Sequence, residues 1–313
     1  MRPRPGRPDL SRWAHLADVP VADAGSPVRV QWLGVSTVHV TDGTSSLLTD
    51  GFFSRPGLAS VALRRLVPDV ARIDEALLLA GIDRLDAVLP VHTHFDHVMD
   101  SATVALRTGA RVVGGRSTAH VARGHGLPED RITTATAGEP LELGSFEVTL
   151  VEGTHCPPDR FPGEVTAPVP RRASSRAYRC GEAWSTLLHH RPSGRRLLIQ
   201  GSAGCVPGAL EGHSAEVAYL GVGQLGVQSE DYTRQYWDET VGRVGARRVV
   251  LIHHDDFFRP LTRPLRALPY AGDDLGVTME RLTRYAERDG VRLSFPSLWQ
   301  PSDPWVGAVA DAS

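Results

Sequence analysis

The sequence contains no lysine, because all 34 of its basic residues are arginine. This absence excludes a Schiff-base lysine, a lysine general base and a P-loop lysine. Cysteine is scarce too: three residues, an odd and low number, do not describe a disulfide scaffold. The first residues lack the apolar run of a signal peptide, and no stretch reaches the ~18 apolar residues of a membrane span. These absences predict a cytoplasmic protein with no membrane partner.

The charge balance gives no reason to expect nucleic acid as a partner. The formal net charge is -2, and no long basic stripe interleaved with aromatics is present. Hydrophobic residues make up 41 % of the chain, which is enough for a sizeable core. We therefore expect a globular protein that acts on a small molecule. The sequence does not indicate its oligomeric state.

The chain divides into an N-terminal arm and one domain. Residues 1–27 are rich in proline and arginine and predict an arm that is poorly ordered or lies on the surface. Within 28–313, short β-rich runs alternate with helical stretches, which predicts a sheet-rich core covered by helices. Residues 156–182 break this rhythm with many prolines and arginines. A long irregular insert of this kind is often a lid, so we expect a lid-like insert there.

The strongest chemical signal is a His-x-His-x-Asp-His motif directly after an apolar run that predicts a buried strand. Backbone alternation lets His92 and His94 point the same way, and the next turn brings Asp96 and His97 round the other side of a pocket. Two neutral imidazoles at that spacing form a good partial site for a divalent metal. Four such side chains within six residues would be costly to bury without a cation among them.

This motif resembles the signature of the metallo-β-lactamase superfamily. The passages Trp32-Leu33-Gly34 and Leu47-Leu48-Thr49-Asp50 are similar to the branch with the ascorbate-phosphate lactonases and N-acyl-phosphatidylethanolamine phospholipases. The resemblance covers most of residues 28–260. It implies an α/β fold, a four-layer αββα sandwich in a single domain.

The resemblance also implies a set of metal ligands. His92, His94 and His155 would form a first metal site, and Asp96, His97 and His253 a second, with His254 as the alternative to His253. Asp96 and His97 would also be catalytic. Asp50 would orient a ligand histidine from outside the metal shell.

One position departs from the family pattern. The family usually has an aspartate that bridges two metals after a late strand, and Ser202 stands in that place here. A serine hydroxyl is a weaker bridge than a carboxylate. The cofactor is therefore expected to be one or two zinc ions, with manganese or iron as alternatives.

The resemblance implies hydrolysis of a small-molecule ester, lactone, amide or phosphodiester by metal-activated hydroxide. An iron-dependent redox enzyme on the same fold and a non-catalytic metal-binding accessory protein are the alternatives. Aromatic side chains that the fold would place near the metal, and one in the insert, are candidates for substrate contact: Phe52, Phe53, Tyr178, Phe257 and Phe258.

A glycine-rich run at 221–226 matches the dinucleotide pattern G-x-G-x-x-G. It lies late in the chain and lacks a βαβ unit closed by an acidic residue, as nicotinamide or flavin binding would require. We interpret it as a tight turn near the metal pocket.

Overall fold

A computed structural model describes residues 4–308, and most of its strands belong to two large sheets. The strands, in chain order, are β1 (Arg29–Trp32), β2 (Val38–Thr41), β3 (Ser46–Thr49), β4 (Arg65–Leu66), β5 (Ala87–Leu89), β6 (Arg111–Gly114), β7 (Ile132–Thr134), β8 (Pro140–Leu143), β9 (Phe146–Gly153), β10 (Ala173–Ser174), β11 (Ala183–His190), β12 (Arg196–Gln200), β13 (Val217–Gly221), β14 (Arg248–Ile252), β15 (Arg292–Ser294) and β16 (Pro301–Ser302).

Both sheets combine antiparallel and parallel strands. Within the described residues, the first has the order β16-β1-β2-β3-β5-β6-β7 and the second β15-β14-β13-β12-β11-β9-β8. In the first sheet the pairs from β16 to β3 are antiparallel and those from β3 to β7 are parallel. The second sheet is antiparallel from β8 to β12 and parallel from β12 to β15. A short β4–β10 pair joins residues 65–66 to the insert.

Seven α-helices lie within residues 4–308. They are α1 (Leu58–Leu63), α2 (Val70–Ala80), α3 (Phe95–Val98), α4 (Ser101–Thr108), α5 (Arg116–Gly124), α6 (Glu230–Trp237) and α7 (Leu275–Asp289). Shorter helical turns are Leu10–Leu16, Glu129–Arg131, Ser175–Ala177 and Leu225–Val227, and a π-helical turn at Asp238–Gly242 follows α6. None of the helices in this part of the chain is long and apolar enough to cross a lipid bilayer.

The alternation of side chains along the strands builds the layers. In β12, Leu197 and Ile199 belong to the cluster between the two sheets, whereas Leu198 packs on the other face with α6 and α7. In the first sheet, Leu47 faces the other sheet and Leu48 packs against α2 and α4. Because each sheet buries both faces, the order is helices, sheet, sheet, helices. The predicted four-layer αββα fold is confirmed.

The described part of the N-terminal arm lies on the domain. Leu10, Trp13 and Leu16 of the first helical turn pack against the cluster that contains α6 and α7. Arg7 donates hydrogen bonds to the Asp256 carboxylate at 3.1 Å and to the Ala267 carbonyl at 2.7 Å. The arm therefore contacts the loop that follows β14.

Candidate metal centre

The His-x-His-x-Asp-His motif lies at the carboxyl end of β5, in the middle of the first sheet. The chain leaves β5 at Leu89, and α3 begins at Phe95 with His94 as its extended N-cap residue. His92 and His94 thus precede the helix, and Asp96 and His97 lie in its first turn. All four side chains are buried. A tight strand-to-helix turn therefore concentrates four metal-binding groups in one place.

The first group of donors consists of His92, His94 and His155, whose ligand atoms lie within 4.8 Å of one another. His92 Nε2 is 3.1 Å from His94 Nδ1. His155 follows β9, and its ring centroid is 5.0 Å from that of His92 and 4.6 Å from that of His94. Its Nδ1 donates a hydrogen bond to the Cys156 carbonyl, which leaves the lone pair of Nε2 free to bind a metal.

The second group consists of Asp96, His97 and His253, again within 4.8 Å. Asp96 Oδ2 is 3.6 Å from His97 Nε2 and 3.8 Å from His253 Nε2. The rings of His92 and His97 are 3.9 Å apart between centroids, so the two groups share one pocket. The structure therefore brings together all six side chains for which metal binding was predicted.

Asp50 connects the ends of two parallel strands and faces the second group. It follows β3 directly, and its Oδ1 accepts a hydrogen bond from Val91 N–H at 2.8 Å, just after β5. Its Oδ2 is 2.8 Å from His97 Nδ1 and accepts from Ser36 Oγ at 2.6 Å. This contact turns His97 Nε2 toward Asp96, as a carboxylate outside a metal shell does.

Burial and mutual repulsion favour the neutral form of most of the histidines. Burial, followed by the charges of the neighbouring histidines, holds the pKa of His92 well below its usual value. Burial and His94 lower the pKa of His155 to about 4. Burial and His97 also lower the pKa of His253. Neutral imidazoles present lone pairs, which is the form that binds metal.

His97 and Asp96 differ because each lies against an opposite charge. Burial alone would lower the pKa of His97, but Asp50 and Asp96 raise it above the usual value. Burial would raise the pKa of Asp96, but His97 and His253 lower it. Asp96 therefore supplies an anionic oxygen among the imidazoles.

The two histidines after β14 point in different directions. His253 adopts a left-handed backbone with a φ of 56° and carries its ring into the second donor group. The ring of His254 stacks on Trp32 at 4.9 Å, and its Nδ1 lies 3.1 Å from the Leu251 carbonyl. Of the two, His253 is the one positioned to bind a metal.

Gly223 of the glycine-rich run lies directly against His253. A Cβ atom at this position would lie 2.8 Å from His253 Nδ1 and 3.1 Å from its Cε1. The neighbouring glycines are also crowded: a Cβ at Gly221 would meet the Gly201 carbonyl at 2.6 Å. The run is therefore a tight turn that makes room for the His253 ring.

Ser202 contacts Cys156, the residue that follows His155. Its hydroxyl accepts a hydrogen bond from Cys156 N–H at 3.2 Å, and its carbonyl accepts one from Tyr236 Oη at 3.2 Å. These contacts hold the turn that carries His155.

The five aromatic residues predicted to contact substrate have different surroundings. Phe257 and Phe258 are half-buried, and the Phe257 ring lies 5.7 Å from that of His253. Phe52, Phe53 and Tyr178 are 0 %, 2 % and 0 % exposed. The Tyr178 hydroxyl is 3.2 Å from His125 Nε2. The substrate prediction therefore depends on Phe257 and Phe258, since the other three offer no open surface.

The sequence reasoning missed Asp159 and Cys180, both of which lie in the insert. Asp159 Oδ1 is 3.1 Å from His94 Nε2, and these two residues form a third close group with Cys180. Burial would raise the pKa of Asp159, but His94 and the Phe161 amide lower it to about 2. The available signal was its spacing, only four residues beyond His155.

The donor set fits a divalent transition metal. Two buried ring nitrogens, His92 Nε2 and His94 Nδ1, face each other at 3.1 Å. Because two N–H groups would repel at this distance, at least one nitrogen must be unprotonated and present a lone pair. Imidazoles with one carboxylate suit zinc, iron and other first-row metals.

Curated proteins with similar sequences include metal-dependent hydrolases. A UPF0173 metal-dependent hydrolase from Roseiflexus castenholzii is 26 % identical over 136 residues, which is 43 % of this chain and 50 % of the relative. Another from Rhizobium leguminosarum bv. trifolii is 29 % identical over 128 residues, 41 % of this chain and 48 % of the relative. The chain spans about half the length of the curated relatives it matches. No family model matches it.

Solved structures share the architecture over most of the chain. The metallo hydrolase Igni18 from Ignicoccus hospitalis has a TM-score of 0.54 at 16 % identity and covers 88 % of this chain and 97 % of its own. CmlA, a diiron β-hydroxylase from Streptomyces venezuelae, has a TM-score of 0.52 at 14 % identity. The match covers 89 % of this chain and 54 % of CmlA.

The protein has the metallo-β-lactamase fold. The resemblance to that superfamily, predicted from the motif, is thereby confirmed. In this fold the two donor groups lie where β5 of the first sheet and β9 and β14 of the second sheet end. The narrower similarity to the ascorbate-phosphate lactonase and N-acyl-phosphatidylethanolamine phospholipase branch stays a prediction.

Proposed function

We propose that the protein is a metal-dependent hydrolase of a small-molecule ester, lactone, amide or phosphodiester. The observation that carries the proposal is the convergence of two donor groups in one pocket, with His92 and His97 rings 3.9 Å apart. The metal-dependent hydrolases among its curated relatives support the same reaction class.

Each donor group has a distinct part in the proposal. His92, His94 and His155 would hold one divalent cation, and Asp96, His97 and His253 would hold a second or complete a single site. Held by these residues, a divalent cation would supply Lewis-acid polarisation of the bond under attack and would lower the pKa of a water molecule toward about 7. Asp96 presents a carboxylate oxygen 3.6 Å from His97 and 3.8 Å from His253, where it can accept a proton and orient the nucleophile.

The aromatic residues beside His253 favour a substrate with an apolar or acyl portion. Phe257 and Phe258 form a half-buried pair with ring centroids 4.3 Å apart. Because the Phe257 ring lies 5.7 Å from that of His253, an apolar group of a substrate can pack there while its reactive bond reaches the donors.

The test is turnover by the full chain with a panel of lactones, carboxylic esters, amides and phosphodiesters. The protein is stripped with a chelator and reloaded with Zn²⁺ or Mn²⁺. We expect reloading to restore turnover, and His92→Ala and His155→Ala to abolish it. His15→Ala is the matched control because His15 is exposed and remote in sequence from the donors. Turnover that survives chelation or either cluster variant would contradict the proposal.

Metal content decides among the alternative functions. Zinc or manganese in protein purified without added metal supports hydrolysis. Iron with visible absorption would favour redox chemistry on this fold. A bound metal with no turnover across the panel would favour an accessory role.

A further inference from the structure

Asp159 lies on the side of the His94 ring that faces away from the donor pocket. His94 Nδ1 faces His92 Nε2 at 3.1 Å, whereas His94 Nε2 lies 3.1 Å from Asp159 Oδ1. The His94 side chain is 8 % exposed and therefore has almost no access to water. A neutral imidazole carries one ring proton. A carboxylate beside Nε2 favours the tautomer that has this proton on Nε2, which leaves the lone pair of Nδ1 free to bind a metal.

The position of Asp159 is fixed by its own loop. Its Oδ1 accepts a hydrogen bond from Phe161 N–H at 2.9 Å. The Phe161 carbonyl accepts from Cys180 N–H at 2.9 Å, and the Cys180 carbonyl accepts from Thr93 N–H at 2.8 Å. Thr93 immediately precedes His94, so a short chain of backbone bonds ties the carboxylate to the backbone of the ring it contacts. This arrangement holds Asp159 in a fixed place relative to His94.

The second donor group contains a contact of the same kind. Asp50 Oδ2 lies 2.8 Å from His97 Nδ1, on the side opposite the donor nitrogen. Each group thus has one histidine whose outer nitrogen faces a carboxylate. Such outer carboxylates orient ligand rings and raise their basicity.

We propose that Asp159 is a positioning residue that orients His94 for metal binding in the first donor group, as Asp50 does for His97 in the second. This inference depends on the proposed function only in requiring that the cluster binds a metal. It gives the insert a specific role at the metal centre, because Asp159, four residues beyond the proposed ligand His155, would orient His94.

The two donor groups allow a selective test. In a His253→Ala background the second group is broken, and a bound ion depends on His92, His94 and His155. We expect Asp159→Ala to weaken Zn²⁺ binding in that background by about 10- to 100-fold, measured by competition with a chelator. In a His155→Ala background, where the first group is broken, the same substitution should leave Zn²⁺ affinity unchanged within error. A merely structural role would weaken both alike.

Two further variants complete the design. Glu164→Ala is the matched control, because Glu164 is an exposed acidic residue of the same insert. Asp159→Asn keeps an acceptor oxygen without the charge, so we expect a smaller loss confined to the first group. Asp159→Asn also replaces Asp159→Ala in the test if thermal unfolding of the metal-free protein shows that Asp159→Ala does not fold.

The possible failures can be told apart. If the unmodified chain binds no Zn²⁺, the proposed function fails and Asp159 has nothing to position. If it binds Zn²⁺ and Asp159→Ala changes neither background, this inference alone is wrong. If the unmodified chain binds two Zn²⁺ ions, an equal loss in both backgrounds also overturns it, because the second ion does not depend on His94. If it binds one shared ion, the same loss in Glu164→Ala overturns it. If Cys180→Ser removes an ion without changing the other affinities, the group of His94, Asp159 and Cys180 holds a cation of its own, and the positioning role is overturned.

Discussion

Replacing Gly223 with alanine should damage the metal centre while leaving the fold intact. The new Cβ would lie 2.8 Å from His253 Nδ1, 3.1 Å from Cε1 and 3.2 Å from Cγ. Since carbon atoms pack best at about 3.5–4.0 Å, the ring must retreat by roughly 0.7–1.2 Å. A misplacement of about 1 Å in a catalytic geometry costs about 100-fold in rate, so we expect a loss of that order in kcat/KM.

The assay pairs kcat/KM on the best substrate of the panel with Zn²⁺ affinity and thermal unfolding. The three atoms nearest to the new Cβ all belong to the His253 side chain, so the unfolding temperature of metal-free Gly223→Ala should stay close to that of the unmodified chain. Gly57→Ala is the matched control, because a Cβ at Gly57 meets open space and its φ is -62°. Unchanged affinity and kcat/KM in Gly223→Ala would refute the reasoning that His253 is held against this turn to bind metal.

Three further predictions follow from buried polar groups. Asp50→Asn should lower the Zn²⁺ affinity of the group that contains His97 by about 10- to 100-fold in chelator competition. An unchanged affinity would contradict the orienting role of Asp50. Burial and then Arg29 lower the pKa of His39 from 6.5 to about 4, so its contribution to stability is full above pH 6.5 and is lost as pH falls through 4. That loss is roughly 3 kcal/mol, so between pH 7 and 4 the free energy of unfolding should fall less in His39→Gln than in the unmodified chain. An equal fall in the two proteins would contradict this prediction. Asp255→Ala leaves buried Arg55 without its ion-pair partner and should cost about 3–5 kcal/mol in denaturant unfolding, so a loss typical of surface pairs would contradict it.

Much of the fold could be predicted from local pattern. The run 146–153 alternates between apolar and polar residues over most of its length, and it is a strand in the structure. Helix α2 ends where the sequence has Gly81, because this glycine takes a left-handed φ of 66° at the end of the helix. The layering came from the resemblance, because local pattern does not reveal which strands pair. The pairing of β16 with β1, 272 residues apart at Val30 and Ser302, has no local signal.

The candidate site could be predicted where residues are adjacent in sequence or where the family pattern marks them. His92, His94, Asp96 and His97 form one motif, and a strand precedes each of His155 and His253. Residues that act through others have no such mark. Asp159 is one acidic residue in an irregular insert, and its role depends on how that insert folds back on Thr93.

The prediction of substrate contacts was less informative, since sequence gives proximity but not side-chain direction. Phe52 and Phe53 follow β3 near the site, yet each turns into an apolar cluster and is buried. Phe257 follows His253 by four residues and remains beside its ring.

An anomalous-diffraction map from crystals of the full chain grown with zinc tests the central claim most directly. We predict a peak among His92, His94 and His155, and a second peak or a shared one that also contacts Asp96, His97 and His253. A map with zinc bound elsewhere, and with no peak within coordinating distance of these side chains, would contradict the account.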